Sequence, residues 1–287
     1  MPKIVVDCNN MAYRAFYTTG VLDLGIVFGF LATILDLSET LESNQFIFCW
    51  DSNHSYRKEV YPKYKTRPDK TEEEQIKLEE AKIQFKMLRK EVLPELGFTN
   101  VFVCPGYEAD DLMAFVVKQF PDEYVIVSGD EDLYQVLSED VSIYQPIPKK
   151  LVTKESFESD YGISSSEWSK VKSLAGCTSD TVTGIQGVGE KTAIKYLTGN
   201  LTKGKVFDRI EEQKDGMVST NLPIVSLPYK GDRPISISGI NIDKLYRSDF
   251  MSSFTHLEMR SFLKDNSFDE WVEALDLHRT KRTMTAT

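Results

Sequence analysis

Carboxylates recur in this chain where apolar runs stop: Asp7 after IVV, Asp51 after FIFCW, Glu108, Asp110 and Asp111 after VFVCPGY, and Asp130 and Asp132 after VIVSG. In open α/β sheets, ligands collect outside the carboxyl ends of the strands, so separate segments of this kind can converge on one crevice. Two negative charges about 4 Å apart repel by roughly 4 kcal/mol at an effective dielectric of about 20, so a crevice this acidic calls for hard cations held by oxygen. Mg²⁺ or Mn²⁺ has the matching chemistry. Taken singly, an Asp at a strand end is more often a turn or a helix cap, and Glu108-Ala109-Asp110-Asp111 reads equally as an acidic first helical turn facing the helix dipole. Jointly the spacing favours a metal site. Asp130 and Asp132 share a face if the strand continues through them, and Glu108 and Asp111 share one on a helix.

The elements that must position these acids follow from patterning. From Met1 to about Pro146, β-branched and aromatic runs alternate with helical stretches, including an apolar helix around Ile26 to Leu41. That alternation predicts an α/β domain over residues 1–150, with a mainly parallel central sheet and flanking helices. Residues 151–287 read as mostly helical, with helix starts at Thr153 and Ser164 to Ser166 and a helix near Thr255 to Leu263. The segment Asn221 to Ile242, rich in Pro, Gly and Ser, reads as a connection. No internal repeat or low-complexity tract is evident.

The 287 residues are 41% hydrophobic, enough for a sizeable core. The longest apolar-rich stretch, Gly25 to Leu35, falls well short of the roughly 18 residues of a membrane span. Met1-Pro2-Lys3 leads straight into a strand, which leaves no room for a signal peptide and predicts a cytoplasmic protein. Cys8, Cys49, Cys104 and Cys177 include no CxxC pair, which argues against a disulfide framework or structural zinc. The net charge of −10 looks unsuited to a nucleic-acid partner. Much of it sits in the candidate ligands Asp7, Asp51, Glu108, Asp110, Asp111, Asp130, Asp132 and Asp180; the remaining surface is close to neutral and can hold basic patches.

Two segments read as contacts to nucleic acid. Between His54 and Lys70, Arg57, Lys58, Lys63, Lys65, Arg67 and Lys70 outweigh Glu59 and Asp69, and Tyr56, Tyr61 and Tyr64 interleave with them. Stacking faces beside a cationic track hold single strands without reading sequence. The charged run Thr71 to Arg89 that follows has few apolar anchors, so it packs weakly or projects. The second segment is Gly184-Ile185-Gln186-Gly187-Val188-Gly189-Glu190-Lys191-Thr192-Ala193, a tight turn opening a helix whose N–H groups can approach a phosphate. Alone it reads equally as a helix-packing turn. With Lys191 and Lys195 following, it suits a hairpin gripping a duplex backbone.

Taken in order, VVDCNNMAYRAF, FCWDSNHSYRKEVYPKYKTRP, GYEADDLMA, VSGDEDLYQVL and LAGCTSDTVTGIQGVGEKTAIKYL resemble the 5′ nuclease family. That family includes the 5′-exonuclease domain of bacterial DNA polymerase I, stand-alone phage 5′-exonucleases and cellular flap endonucleases. The resemblance covers residue 3 to about 200 and is to the stand-alone form. It implies a PIN-like core with two Mg²⁺ ions, for which Mn²⁺ substitutes, a helical arch at about residues 54–92, and a helix–turn–helix-type element on the downstream duplex. By motif, Asp7, Asp51, Glu108, Asp110 and Asp130 are implied as ligands of the first ion, and Asp111, Asp132 and Asp180 of the second. Arg57, Tyr64, Lys65 and Arg67 fall at the arch entrance, with Lys65 and Arg67 beside the reacting phosphate. Gly187, Gly189 and Lys191 fall in the duplex hairpin, where residues 184–191 are implied to hold K⁺, and Arg14 is a further phosphate contact. The resemblance implies a monomer in a bacterial or phage-infected cell. It would act on DNA with 5′ flaps or 5′ ends, and on RNA–DNA hybrids, in replication or repair. Rival readings are a branched-DNA-binding protein without catalysis and an RNA-directed nuclease. The tail from Arg279 to Thr287, with Lys281 and Arg282, is expected to touch DNA or to be disordered.

One position departs from the family pattern. Where Gly-Asp-x-x-Asp is usual, this chain has Gly176-Cys177-Thr178-Ser179-Asp180, so one carboxylate of the second site is a thiol. Sulfur suits Mg²⁺ poorly, and the position reads equally as a second site weakened for Mg²⁺ or as one where water takes the carboxylate's place harmlessly.

Overall fold

The structure, a computed structural model, describes residues 1–21 and 24–279, so Lys281 and Arg282 of the expected DNA-touching tail lie outside the described residues. The run IVV forms β1 (Lys3–Asp7), and Asp7 ends it by capping α1 (Cys8–Thr19), accepting from the Asn10 N–H at 3.0 Å. The expected apolar helix is α2 (Gly25–Leu41), followed by β2 (Phe46–Cys49). Then come α3 (Tyr56–Val60), α4 (Glu72–Met87), α5 (Leu93–Glu95) and β3 (Val101–Phe102). α6 (Ala109–Gln119), β4 (Tyr124–Val127), β5 (Val141–Gln145) and β6 (Lys150–Val152) follow. The rest is mostly helical: α7 (Lys154–Tyr161), α8 (Trp168–Ala175), the short strands β7 (Gly176–Cys177) and β8 (Val182–Thr183), α9 (Glu190–Leu197), α10 (Lys205–Val225), α11 (Arg247–His256) and α12 (Asp265–Ala274).

The chain packs as two compact units, and the expected division at residue 150 is not where it splits. One unit takes Met1–Cys49, Lys70–Phe102 and the stretch from Ser238 on. Its strands lie in the order β3-β2-β1, all parallel, with Asp7 level with Cys49. The late stretch returns to this unit because its polar and aromatic groups find partners there. Asp243 accepts from the Thr99 N–H at 2.9 Å, the Ala274 carbonyl accepts from Ser38 at 2.7 Å, and Phe250, Phe254 and Phe262 pack against Trp271. A Thr71–Glu74 capping box starts α4, whose first turns are exposed as expected. Its end is anchored through Gln84, whose side-chain carbonyl accepts from Ile26 N–H at 3.1 Å.

The other unit takes Trp50–Asp69 and Val103–Ile237. β4 and β5 are parallel, and β6 adds an antiparallel edge that the sequence pattern did not indicate. The chain is thus α/β with a mainly parallel sheet and flanking helices, as predicted. Tyr134, Phe157, Tyr161 and Trp168 form an aromatic cluster here, and the Trp168 indole donates to the Glu131 carbonyl at 2.7 Å. α8, the β7–β8 hairpin and α9 make the expected helix–turn–helix arrangement. Glycine is required at Gly184, where a Cβ would lie 2.2 Å from the Ala175 carbonyl carbon, and Asn221 on α10 ties the Ser173 and Thr183 carbonyls together at 2.9 Å each.

Three local expectations are corrected. Residues 61–70 of the expected arch hold no regular helix between α3 and α4. The helix expected near Thr255 to Leu263 ends at His256, with Glu258 in the left-handed region at φ 54°. The connection expected from Asn221 begins only after Val225, because α10 carries Pro223 in its last turn. Among the described residues no helix is long and apolar enough to cross a membrane.

Candidate metal centre

The second unit gathers most of the acidic positions. Its framework is the segment from Ser52 to Tyr56, which runs beside Gly106 and Tyr107: Ser52 N–H donates to the Tyr107 carbonyl at 3.1 Å and Tyr56 N–H to the Gly106 carbonyl at 2.9 Å. That places Asp51 at the start of α6, where its carboxylate accepts from the Ala109 N–H at 2.8 Å. Glu108 is the N-cap of α6 and Asp111 its reciprocal partner, accepting from the Glu108 N–H at 3.2 Å. Helix capping and acid clustering therefore occur at the same residues. Asp130 and Asp132 do not continue a strand. β4 stops at Val127, and Asp130 caps a 3₁₀ turn (Glu131–Val136), accepting from the Asp132 N–H at 2.8 Å.

Two expected site residues are corrected by their packing. Arg57 and Asp111, 2% and 0% exposed, form a bidentate pair at 2.6 and 2.8 Å. Arg57 also donates to the Ile224 carbonyl at 2.8 Å and lies over the Tyr229 ring, and the Tyr229 backbone N–H donates to Asp111 at 2.6 Å. In this structure Arg57 is thus turned inward onto Asp111 and backbone groups, and Asp111 is paired with it. The stacking role expected of Tyr64 is corrected likewise: the ring is 2% exposed, and its hydroxyl donates to Glu108 at 2.8 Å and to Asp180 at 3.3 Å.

Lys65 is where a catalytic cation is expected. Its backbone is left-handed at φ 48°, pinned by a 2.9 Å bond from its N–H to the Asp180 carbonyl, and its half-exposed ammonium lies 2.8 Å from Glu108 Oε2 and 3.6 Å from Asp180 Oδ1. Arg67, Lys191 and Lys195 are exposed. Gly187 has φ +78° and Gly189 is the N-cap of α9. In the first unit, Asp7 ends β1 and Arg14 is half-buried on α1.

The electrostatics of this cluster fit a divalent cation. Burial, then the charges of Glu108 and Asp111, push Asp51 above the ordinary carboxylate range. Burial and Asp111 push Asp110 well up. Burial and Asp132 bring Asp130 up to about 6. Against the burial that would raise it, Lys65 and Arg57 hold Glu108 below the usual range. At Asp51, Asp110 and Asp130 the charged forms are disfavoured, and a hard divalent ion stabilises such forms. Asp51, Glu108 and Asp110, gathered at the start of α6, are the donors that this end of the helix offers to such an ion.

Among the described residues, the group whose possible ligand atoms converge is Asp132, Cys177 and Asp180, all within 4.8 Å of one another. Here the donors do not suit Mg²⁺. Burial, then Asp132 and Asp180, push Cys177 up to about 11, so it stays a thiol. It donates to Asp132 Oδ2 at 3.4 Å. Lys172, which sequence reasoning missed, places its ammonium 2.8 Å from Asp132 Oδ1 and 2.8 Å from Glu190 Oε1. Nothing distinguished it from its surface neighbour Lys170; only its place one turn after Trp168 could have hinted at burial.

This sheet with acids at its strand ends defines an α/β protein built for metal-ion chemistry on an anionic substrate. Residues 2–162 match the profile described as 5′-3′ exonuclease, N-terminal resolvase-like domain, and the chain belongs to that 5′-3′ exonuclease family. It is 33% identical to a 5′-3′ exonuclease of Bacillus subtilis, over 72% of this chain and 73% of that protein. DNA polymerase I of Mycobacterium bovis is 34% identical over 94% of this chain, which spans only 32% of that polymerase. In fold the chain resembles the T5 5′-exonuclease with bound zinc, with a TM-score of 0.65 at 20% identity over 79% of this chain and 90% of that one.

Proposed function

We propose that this chain is a structure-specific 5′ nuclease that hydrolyses phosphodiester bonds of DNA at 5′ flaps and 5′ ends, leaving a 5′-phosphate and a 3′-hydroxyl. The observation that carries the reading is the gathering of Asp51 and Glu108 at the start of α6, with the half-exposed ammonium of Lys65 2.8 Å from Glu108. A bound Mg²⁺, or Mn²⁺ in its place, supplies Lewis-acid stabilisation of charge at phosphorus and a water of lowered pKa. Asp51, Glu108, Asp110 and Asp130 would bind and orient that ion. Lys65 offers its ammonium to the charge that builds on the scissile phosphate, a contribution of a few kcal/mol at comparable sites. Arg67 and Arg14 add phosphate contacts. The Gly187–Gly189 turn presents backbone N–H groups to the duplex, Lys191 and Lys195 flank it, and K⁺ at residues 184–191 would bridge it to phosphate. RNA–DNA hybrids are further substrates, and the setting is replication or repair in the cytoplasm, with the chain acting as a monomer.

A second reading, junction binding without cleavage, has one observation in its favour: the thiol at Cys177. Asp130→Ala separates the two. The nuclease reading expects flap affinity to persist while metal-dependent cleavage is lost, whereas a wild-type chain that binds flaps and has no cleavage to lose is a junction binder.

A further inference from the structure

We infer that Lys172 is a built-in cation at the position expected for a second divalent ion, so that this chain takes a single divalent ion at its nuclease site. The inference rests on the nuclease reading and concerns how its charge is balanced.

Asp132 lies between two protein groups, although its buried Oδ1 meets Lys172 as an ion pair without hydrogen-bond geometry. Oδ1 faces the Lys172 ammonium at 2.8 Å, and Oδ2 accepts from the Cys177 thiol at 3.4 Å. Asp180 is engaged too, since Oδ2 accepts from Tyr64 at 3.3 Å and Oδ1 lies 3.6 Å from the Lys65 ammonium. A second divalent ion between Asp132 and Asp180 would have to displace these partners. It would gain a sulfur, a soft donor poorly suited to Mg²⁺, and meet the positive charge of Lys172 beside the same carboxylate.

The two lysines differ in how firmly they are held. Lys65 sits on an irregular segment with its side chain 36% exposed, so it can swing away when an ion or phosphate arrives. Lys172 rises from α8 with its side chain 9% exposed. It is clamped between Asp132 and Glu190 and lies 5.3 Å from the Trp168 ring centroid, which is itself fixed by the Glu131 carbonyl. The turn carrying Asp132 and the helix carrying Lys172 are therefore joined at two points, and the ammonium is placed by the fold. Breaking the Lys172–Asp132 contact exposes a buried carboxylate to whatever cation replaces it.

The test counts ions on the full chain by Mn²⁺ titration, with free Mn²⁺ read from its electron paramagnetic resonance signal. Wild type should bind one Mn²⁺ well below the concentration at which any further ion binds, and two ions of similar affinity would overturn the inference. Cys177→Asp alone, which keeps Lys172, should still bind one; a second tight ion there would assign the exclusion to the thiol and defeat the role of Lys172. Lys172→Met combined with Cys177→Asp should bind two, and a count of one in the folded double variant would contradict the inference. Co²⁺ gives an independent reading on wild type, where a thiolate-to-cobalt absorption band would show Cys177 ligating an ion and overturn the proposal. Flap cleavage is followed in parallel. Cleavage that never appears with one ion bound would contradict the nuclease reading and not the ion count, so the two claims fail separately.

Discussion

Replacing Arg57 by methionine tests whether the acids of Glu108-Ala109-Asp110-Asp111 form one ligand set or two groups with different work. In the structure Arg57 and Asp111 are 2% and 0% exposed and share two bonds at 2.6 and 2.8 Å, and Arg57 further holds the Ile224 carbonyl. Arg57→Met leaves Asp111 as a buried charge whose remaining donors are the Tyr229 and Glu108 N–H groups. Breaking such a pair costs about 3–5 kcal/mol, against about 0–1 kcal/mol for an exposed one. At about 1.4 kcal/mol per decade, that is a shift of roughly 100- to 5,000-fold in the folding equilibrium. Urea unfolding followed by tryptophan fluorescence measures it, since Trp50 and Trp168 lie in the same unit. Adding Asp111→Asn removes the stranded charge while keeping an acceptor for Tyr229, and should recover a large part of the loss. A destabilisation below about 1 kcal/mol, together with a fall in flap affinity, would refute the pairing and return Arg57 to the DNA surface.

Two further outcomes follow from the site. Lys65→Ala should lower turnover by about 10²–10³-fold with little change in KM, as for loss of a group that acts mainly on transition-state charge, and unchanged turnover with weaker binding would remove its catalytic role. Asp130, raised to about 6, holds a proton in the folded state that the unfolded chain has already released, so its contribution to stability is lost as pH rises from the ordinary carboxylate range through 6. Asp51 and Asp110 act in the same direction. Mg²⁺ restores stability by binding the ionised forms, so melting curves should show a larger Mg²⁺-induced rise at about pH 7.5 than at about pH 5, and an equal rise at both would contradict the assignment.

Much of the site was legible because each acid follows a β-rich run, and strand ends are marked by local sequence. The α2 helix, the α6 cap and the glycine turn before α9 follow from such local rules. What escaped depends on pairing between distant segments. Arg57 and Tyr64 looked like surface residues because they sit in a basic, aromatic stretch; only the fold shows that Asp111 and Glu108 draw them inward. Lys172 carried no signal beyond its place one turn after Trp168, since its partners Asp132 and Glu190 lie far from it in sequence. The β6 edge is too short to register as a pattern, and the return of the stretch after Ser238 depends on Thr99 and Asn100, which look ordinary in sequence.

The central claim is tested most directly by cleavage of a labelled 5′-flap duplex in Mg²⁺, in Mn²⁺ and in chelator, with the flap's 5′ end free or blocked by a bulky group. Cutting near the junction that needs a divalent ion and weakens on blocking is the predicted result. Tight flap binding with no cutting in either metal would contradict it and leave a junction-binding protein.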